Sequence, residues 1–291
     1  MQISPQFGFG LELASDLWVP GAVAVAPQTN APSVRIAILD ACAADPDVQF
    51  ICEGEAIVYH HPTGIFLCFP DRIEIAPCEP PDLEDLGALL VANALPAVLW
   101  QRGAFVLHAA CVRLPGGLTI AIAGPSGAGK SRLAAGFVEA GAELVGDDSL
   151  ALNACEEGVL ATGLPGGWFS RGKDSSSRAF VPTPAGRAGG TVRLDLLAVL
   201  SEAGSALQHL APLAALEILM QNRHRPQVPE LLGLRGQVLS HAVKIARRLP
   251  LVRLAACGGS DSDLASLRSV LARLAREARY GSRSSDAVTG G

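Results

Sequence analysis

The rhythm of apolar and polar positions changes near residue 100. Before it, from Phe7 to about Ala76, short runs of β-formers (FGFGLEL, AVAVA, SVRIAIL, EAIVYH, GIFLCF and RIEIA) are separated by Pro, Gly and Asp. That pattern predicts strands joined by turns, a small and mostly antiparallel β region of about seven strands. The acidic stretch PCEPPDLEDL, residues 77–86, then interrupts it. Pro81 and Asp82 are suited to open a helix, which is rich in Leu and Ala and predicted to end around Gln101–Gly103. Its apolar run, LGALLVANALPAVLW at residues 86–100, carries Pro96. The run is shorter than the ~18–20 residues of a membrane span, so a helix buried in protein is expected.

Beyond residue 103 strand and helix patterns alternate. AFVLHAACVRL (104–114) predicts a strand, Pro115–Gly117 a turn, and LTIAIAG (118–124) a buried strand. A helix is predicted from about Lys130 to Ala140, stopped by Gly141. ELVGDDSLAL (143–152) reads as a third strand interrupted by two acids, and GLPGGWFSRGKDSSSR (163–178) as a mobile loop. VRLDLLAVL is a further strand, PLAALEILMQN and residues 231–248 are helices, and LPLVRLAA is the last strand. A final helix places Leu264, Leu267, Leu271 and Leu274 on one face, with Arg268, Arg273, Arg276 and Arg279 on a solvated one. The expected organisation is a β-rich region at 1–80, a second domain at 81–280 and a frayed tail at 281–291.

Composition narrows the class. Of the 291 residues 49% are hydrophobic and 18% charged, which excludes a disordered chain. A net charge of −5 argues against a nucleic-acid partner. The start, MQISPQFGFGLELASDL, has neither a basic opening nor an apolar core of the secretory kind. The seven cysteines are scattered without a CxxC pair, so neither a zinc knuckle nor a disulfide framework is expected and most read as small core residues. A cytoplasmic protein without membrane contact is expected, and a homo-oligomer is left open.

The chemistry concentrates in Gly124-Pro-Ser-Gly-Ala-Gly129-Lys130-Ser131. It fits G-x-x-x-x-G-K-[ST] at every fixed position and stands between a predicted buried strand and a helix, the context in which that pattern cradles phosphate. Gly124, Gly127 and Gly129 permit backbone angles that let N–H groups turn onto phosphate oxygens. The helix N-terminus adds positive potential, Lys130 a compact charge and Ser131 a hydroxyl able to ligate magnesium. Gly124, Ser126, Gly127, Ala128, Gly129, Lys130, Ser131 and Arg132 are the expected contacts to a nucleoside triphosphate.

Asp147 and Asp148 stand seventeen and eighteen residues past Lys130. A strand beside the loop would bring them to the metal, one carboxylate holding it and the other taking a proton from a nucleophile. His108 interrupts the apolar run FVLHAACV. Alone it reads as a core histidine; beside a phosphate site, imidazole can touch phosphate oxygens or tune a carboxylate. His60, His61, His209, His224 and His241 show no ligand-like spacing and read as structural.

In LHAACV, GPSGAGKS and LVGDD, in that order and spacing, the chain resembles the HPr kinase/phosphorylase superfamily. Its opening, FGFGLELASDLWVP, and late PLVRLAA are similar to stand-alone HPr-kinase-related proteins, including kinases that tailor lasso-peptide precursors. The resemblance implies an α/β fold with a kinase core of the PEP-carboxykinase-like type, a mixed sheet flanked by helices, behind a small β-rich region. It implies ATP and Mg2+ as donor and cofactor, and a peptide or small-protein serine as acceptor. Asp147 then corresponds to the general base, Ser131 and Asp148 to the metal contacts, and His108 and Lys130 to groups at the transferred phosphate. The glutamate- and glycine-bearing signature that follows the double Asp in true HPr kinases has no counterpart here. A nucleotide-dependent regulatory module and a small-molecule kinase are the alternative readings.

Overall fold

A computed structural model describes residues 6–24, 31–43, 47–80, 82–171, 178–183, 191–201 and 208–255, with parts of 265–277. The expected tail at 281–291, Pro81, Cys257, and Leu264, Leu267, Arg268 and Arg279 of the expected last helix lie outside the described residues.

The β-rich start folds as one seven-stranded sheet: β1 (Gln6–Gly8), β2 (Leu11–Ser15), β3 (Ser33–Ile38), β4 (Gln49–Glu53), β5 (Ala56–His61), β6 (Gly64–Cys68) and β7 (Arg72–Pro77), in the order β1-β2-β3-β7-β6-β5-β4. Most pairings are antiparallel, but β2 with β3 and β3 with β7 run parallel. FGFGLEL is a hairpin rather than one strand, because Phe9 and Gly10 turn the chain at φ 54° and 72°. QFICE supplies β4, a strand absent from the expected set, whereas Val23 of AVAVA makes an isolated bridge to Phe7. Period two is clearest in β7, where Ile73 and Ile75 are fully buried while Arg72 pairs with Glu74 at 2.8 Å on the other face.

Asp82 opens the central helix, its carboxylate accepting the N–H groups of Glu84 and Asp85 at 3.0 and 3.1 Å. The helix runs from α1 (Leu83–Leu89) through a π turn at Leu90–Ala94 into α2 (Leu95–Gln101). Pro96 is the reason for the π turn, since it has no N–H for the carbonyl four residues earlier and its ring crowds that carbonyl. At 19 residues and a mean hydropathy of 1.4 the helix is long and apolar enough to cross a membrane, yet 67% of that window is buried in protein. Leu86, Leu90, Leu95 and Val98 have no exposure and join the first sheet (Leu13, Ile36, Phe66) to later strands in one core.

The remaining elements are β8 (Phe105–Leu107), β9 (Ala109–Arg113), β10 (Thr119–Ala123), α3 (Lys130–Glu139), β11 (Glu143–Gly146), β12 (Leu150–Cys155), β13 (Gly158–Thr162), β14 (Gly167–Arg171), β15 (Arg178–Pro182), β16 (Val192–Leu194), β17 (Leu196–Ser201), β18 (Gln208–His209), α4 (Pro212–Gln221), α5 (Gln227–Leu231), α6 (Arg235–Arg248) and β19 (Leu251–Ala255). A second sheet has the order β11-β9-β10-β17-β19-β18, with β10, β17 and β19 parallel. A third, β16-β13-β12-β8, is antiparallel. The chain is therefore mixed α/β, with several sheets and flanking helices.

Several expectations change. The strand expected at 104–114 breaks at His108, and that at 143–152 breaks at Asp147–Ser149. Part of the expected loop at 163–178 is strand, because Phe169 and Phe180 face each other across β14 and β15 with ring centroids 5.4 Å apart. The helix expected at 231–248 begins at Arg235 as α6, because Gly233, at φ 68°, separates it from the short α5, which ends at Leu231. Cys68, Cys78 and Cys111 are buried as expected, but Cys52 is exposed. In the last helix Leu271 and Leu274 are buried, while Arg273 lies outside and pairs with Glu277 at 4.0 Å.

Leu90→Ala at the fully buried helix centre is expected to destabilise the protein by about 2–5 kcal/mol in urea titration. Leu213→Ala, at a position 70% exposed, should stay within about 0.5 kcal/mol of the parent.

Candidate active site

Two chain segments change sheets at the same level. β8 pairs with β12 in the third sheet, whereas its continuation β9 pairs with β10 and β11 in the second. His108 is the residue between β8 and β9, and Asp147, Asp148 and Ser149 lie between β11 and β12. At this seam the in-and-out alternation of a strand lapses, so polar side chains can converge without entering either core.

The glycine-rich loop opens at the same level, at the C-terminal end of β10. Gly124, Gly127 and Gly129 all have positive φ, at 142°, 85° and 93°, but for different reasons. A Cβ on Gly124 would sit 2.7 Å from the Leu200 carbonyl oxygen, so the residue is also fixed by backbone packing. Gly127 and Gly129 have nothing within 4 Å of that position and border open space. Gly129 caps α3 without a side-chain hydrogen bond, which leaves the first helical N–H groups available to an anion. Lys130 is buried and its Nζ donates to the carbonyls of Gly124 and Pro125 at 2.9 and 3.0 Å. Ser126 and Arg132 are exposed, and Ala128 is half-buried. Ser131 Oγ donates to Asp147 Oδ1 at 2.9 Å.

The neighbouring acids are separated by one turn. Asp148 has φ 67°, and Ser149 N–H donates back to the Asp147 carbonyl at 2.8 Å, the pattern of a strained γ-turn. Asp147 thereby meets the loop serine, while Asp148 lies 3.3 Å from His108 Nε2 and 3.8 Å from His224 Nε2. The two imidazoles stack with centroids 5.2 Å apart. His224 Nδ1 and Ser149 Oγ are 2.7 Å apart. Of the two acids, Asp147 is the one hydrogen-bonded to Ser131, whereas the resemblance pairs Ser131 with Asp148 as metal contacts.

His224 was read as structural from the sequence, and it belongs to this cluster. Asn222 and Arg225 of the same segment also reach it. Asn222 Oδ1 accepts the Gly124 N–H at 3.1 Å, and its carbonyl accepts the His108 N–H at 2.8 Å. The His224 N–H donates to Val106 O, and its carbonyl accepts Trp100 Nε1 at 2.8 Å. Arg225 Nε donates at 2.8 Å to Ala92 O, the carbonyl that Pro96 leaves without its helical donor. The only sequence signal was a polar quartet closing an apolar helix.

Electrostatics divides the two acids further. Burial, and then the charge of Asp148, raise Asp147 from 3.8 to about 6 against the hydrogen bond from Ser131. Burial would also raise Asp148, but the hydrogen bond from His108 and the charges of His224, His108 and Arg225 hold it well below the usual carboxylate range. Burial pushes the His224 imidazole down to about 3 despite Asp148. A hard divalent cation fits beside Ser131 and Asp147, a hydroxyl and a carboxylate whose negative charge the protein leaves poorly compensated. Among the described residues no cluster of three His, Cys, Asp or Glu side chains would hold a metal unaided. A shallow cleft of about 220 Å3 lined by Arg113–Gly117, Gly141 and Glu143 lies at the opposite end of β9 and β10 and takes no part in this cluster.

The chain matches no family model and no curated protein. It is similar to a solved structure, the Hpr(Ser) kinase/phosphatase from Coxiella burnetii, with 15% identity and a TM-score of 0.41 over 64% of this chain and 99% of that chain. At that distance the likeness carries no argument about chemistry, which rests on the geometry above.

Gly124→Ala should lose nucleotide binding and lower the unfolding midpoint, since its Cβ would collide with Leu200 O. Asp147, whose folded pKa is raised, contributes stability fully below its ordinary 3.8 and loses it as pH rises through about 6. Asp147→Asn should therefore gain stability relative to the parent between pH 4 and pH 7, read from urea midpoints without nucleotide or metal.

Proposed function

We propose that this protein is an ATP-dependent phosphotransferase that phosphorylates a serine hydroxyl on a peptide or small protein. The observation that carries this reading is the division of labour between adjacent acids. Asp147 is hydrogen-bonded to the hydroxyl of the phosphate-binding loop, and Asp148 is turned to His108 and kept ionised. The serine acceptor follows from the resemblance of LHAACV, GPSGAGKS and LVGDD.

In this reading the loop amides and the start of α3 bind the phosphates, and Lys130 leaves its two carbonyl partners to meet the outer ones. Magnesium held by Ser131 and Asp147 would supply charge neutralisation at the phosphates. The Asp148 carboxylate accepts the proton of the acceptor hydroxyl as that oxygen bonds to the terminal phosphorus. The bond from phosphorus to the bridging oxygen breaks, and ADP leaves with the electron pair. His108 orients Asp148, and the ordering of both substrates supplies much of the rate. The resemblance implied the reverse roles for the two acids; the hydrogen bond between Ser131 and Asp147 favours the present assignment.

Purified protein incubated with ATP, magnesium and candidate peptides is expected to add one phosphoryl group to a serine, read by mass spectrometry. Asp148→Asn should lower turnover by about 10²–10⁴-fold with ATP affinity retained. Retention of ATP without transfer to any peptide would instead favour a nucleotide-switched binding module.

A further inference from the structure

We propose that Asn222 is a positioning residue, one that ties the mouth of the phosphate-binding loop to His108 and so keeps the nucleotide and proton-accepting halves of the site in register. The inference rests on the phosphotransferase reading only for what the register serves.

Beyond its own N–H, which donates to Ile218 O at 3.0 Å, three hydrogen bonds fix the residue. Its Oδ1 accepts the Gly124 N–H at 3.1 Å, its Nδ2 donates to Ile218 O at 2.9 Å, and its carbonyl accepts the His108 N–H at 2.8 Å. The first two specify the amide orientation, because a flipped side chain would set donor against donor and acceptor against acceptor. The third places the backbone of the same residue against the strand break that carries His108. One residue at the end of α4 thus touches both halves of the site, which are separated in sequence by the whole of β9 and β10.

The Gly124 amide is therefore committed within the protein, and phosphate must be met by amides farther along the loop. Its carbonyl is committed as well, to Lys130 Nζ at 2.9 Å. Behind it, Leu200 O leaves no space for a Cβ. The residue that launches the loop is held by Leu200 on one side and by Asn222 on the other. Losing the amide acceptor frees the Ala123–Gly124 peptide to tilt and re-aims the loop amides that follow it. Neither consequence requires the fold to loosen, since Asn222 is half-buried and contributes no apolar side chain to the core.

The test compares the full-length parent with Asn222→Ala, Asn222→Asp and, as a control, Gln101→Ala, which removes a side-chain hydrogen bond to Cys68 O elsewhere. MgATP affinity is measured by calorimetry, Gly124 amide exchange by NMR without nucleotide, and stability by urea midpoint. Asn222→Ala should weaken MgATP binding about tenfold, the order expected for one hydrogen bond at a charged site. It should also expose the Gly124 amide to exchange while leaving its midpoint no lower than that of Gln101→Ala. Asn222→Asp keeps an acceptor oxygen and should keep the amide protected. Parent-like affinity in Asn222→Ala, or an affinity loss that only tracks the midpoint, overturns the positioning role. A parent protein that does not bind MgATP overturns the phosphate-site reading itself, a result visible before any variant is compared.

Discussion

Two chain segments leaving one sheet for another at a common level set the terms of this site. Backbone hydrogen bonding can be satisfied on either side of such a crossing but not through it, so the residues at the break must bond to something else. Here His108 gives its N–H to Asn222, and the Asp147 carbonyl takes the N–H of Ser149. Both solutions turn side chains away from the cores and toward the end of β10, where the glycine loop begins. The polar cluster is therefore a product of the crossing.

The turn between Asp147 and Asp148 does something a regular strand could not. In a strand, adjacent side chains face opposite ways, and one acid would have been lost to the far side of the sheet. A positive φ at Asp148 separates the two by direction while leaving them close enough to feel each other's charge. The outcome is one carboxylate near neutrality in its proton affinity and one that stays charged. Chemically identical groups acquire unlike properties from a single backbone angle, a strain that the rigid strands β11 and β12 hold in place.

The conformation of the glycine-rich loop was legible in the sequence because every requirement is local: glycines for backbone angles, a lysine and serine at fixed offsets, and an apolar strand before a helix. Strands β3, β5, β6 and β7 of the first sheet were legible as well, through runs of β-formers such as the period-two pattern of β7, but β4 and the turn at Phe9–Gly10 were not. What could not be read was pairing. Nothing local says that β8 and β9 belong to different sheets, since LHAACV is apolar on both sides of the histidine, or that Trp168–Phe169 will find Phe180–Val181 across a glycine- and serine-rich stretch. Asn222–Arg225 escaped for the same reason, its partners lying 98 residues away at Gly124 and 133 at Ala92. Long-range hydrogen bonds to backbone leave no periodic trace.

Pro96 gives the central helix an appetite that an ordinary helix lacks. Its π turn leaves the half-buried Ala92 carbonyl without its α-helical donor, and the arginine that answers is chemically suited because it can reach, bond and still carry its charge toward Asp148. The helix consequently recognises one particular segment by polarity, where shape and hydrophobicity alone would accept many. Docking of the helix and placement of the polar cluster are thus linked through one hydrogen bond between Ala92 and Arg225.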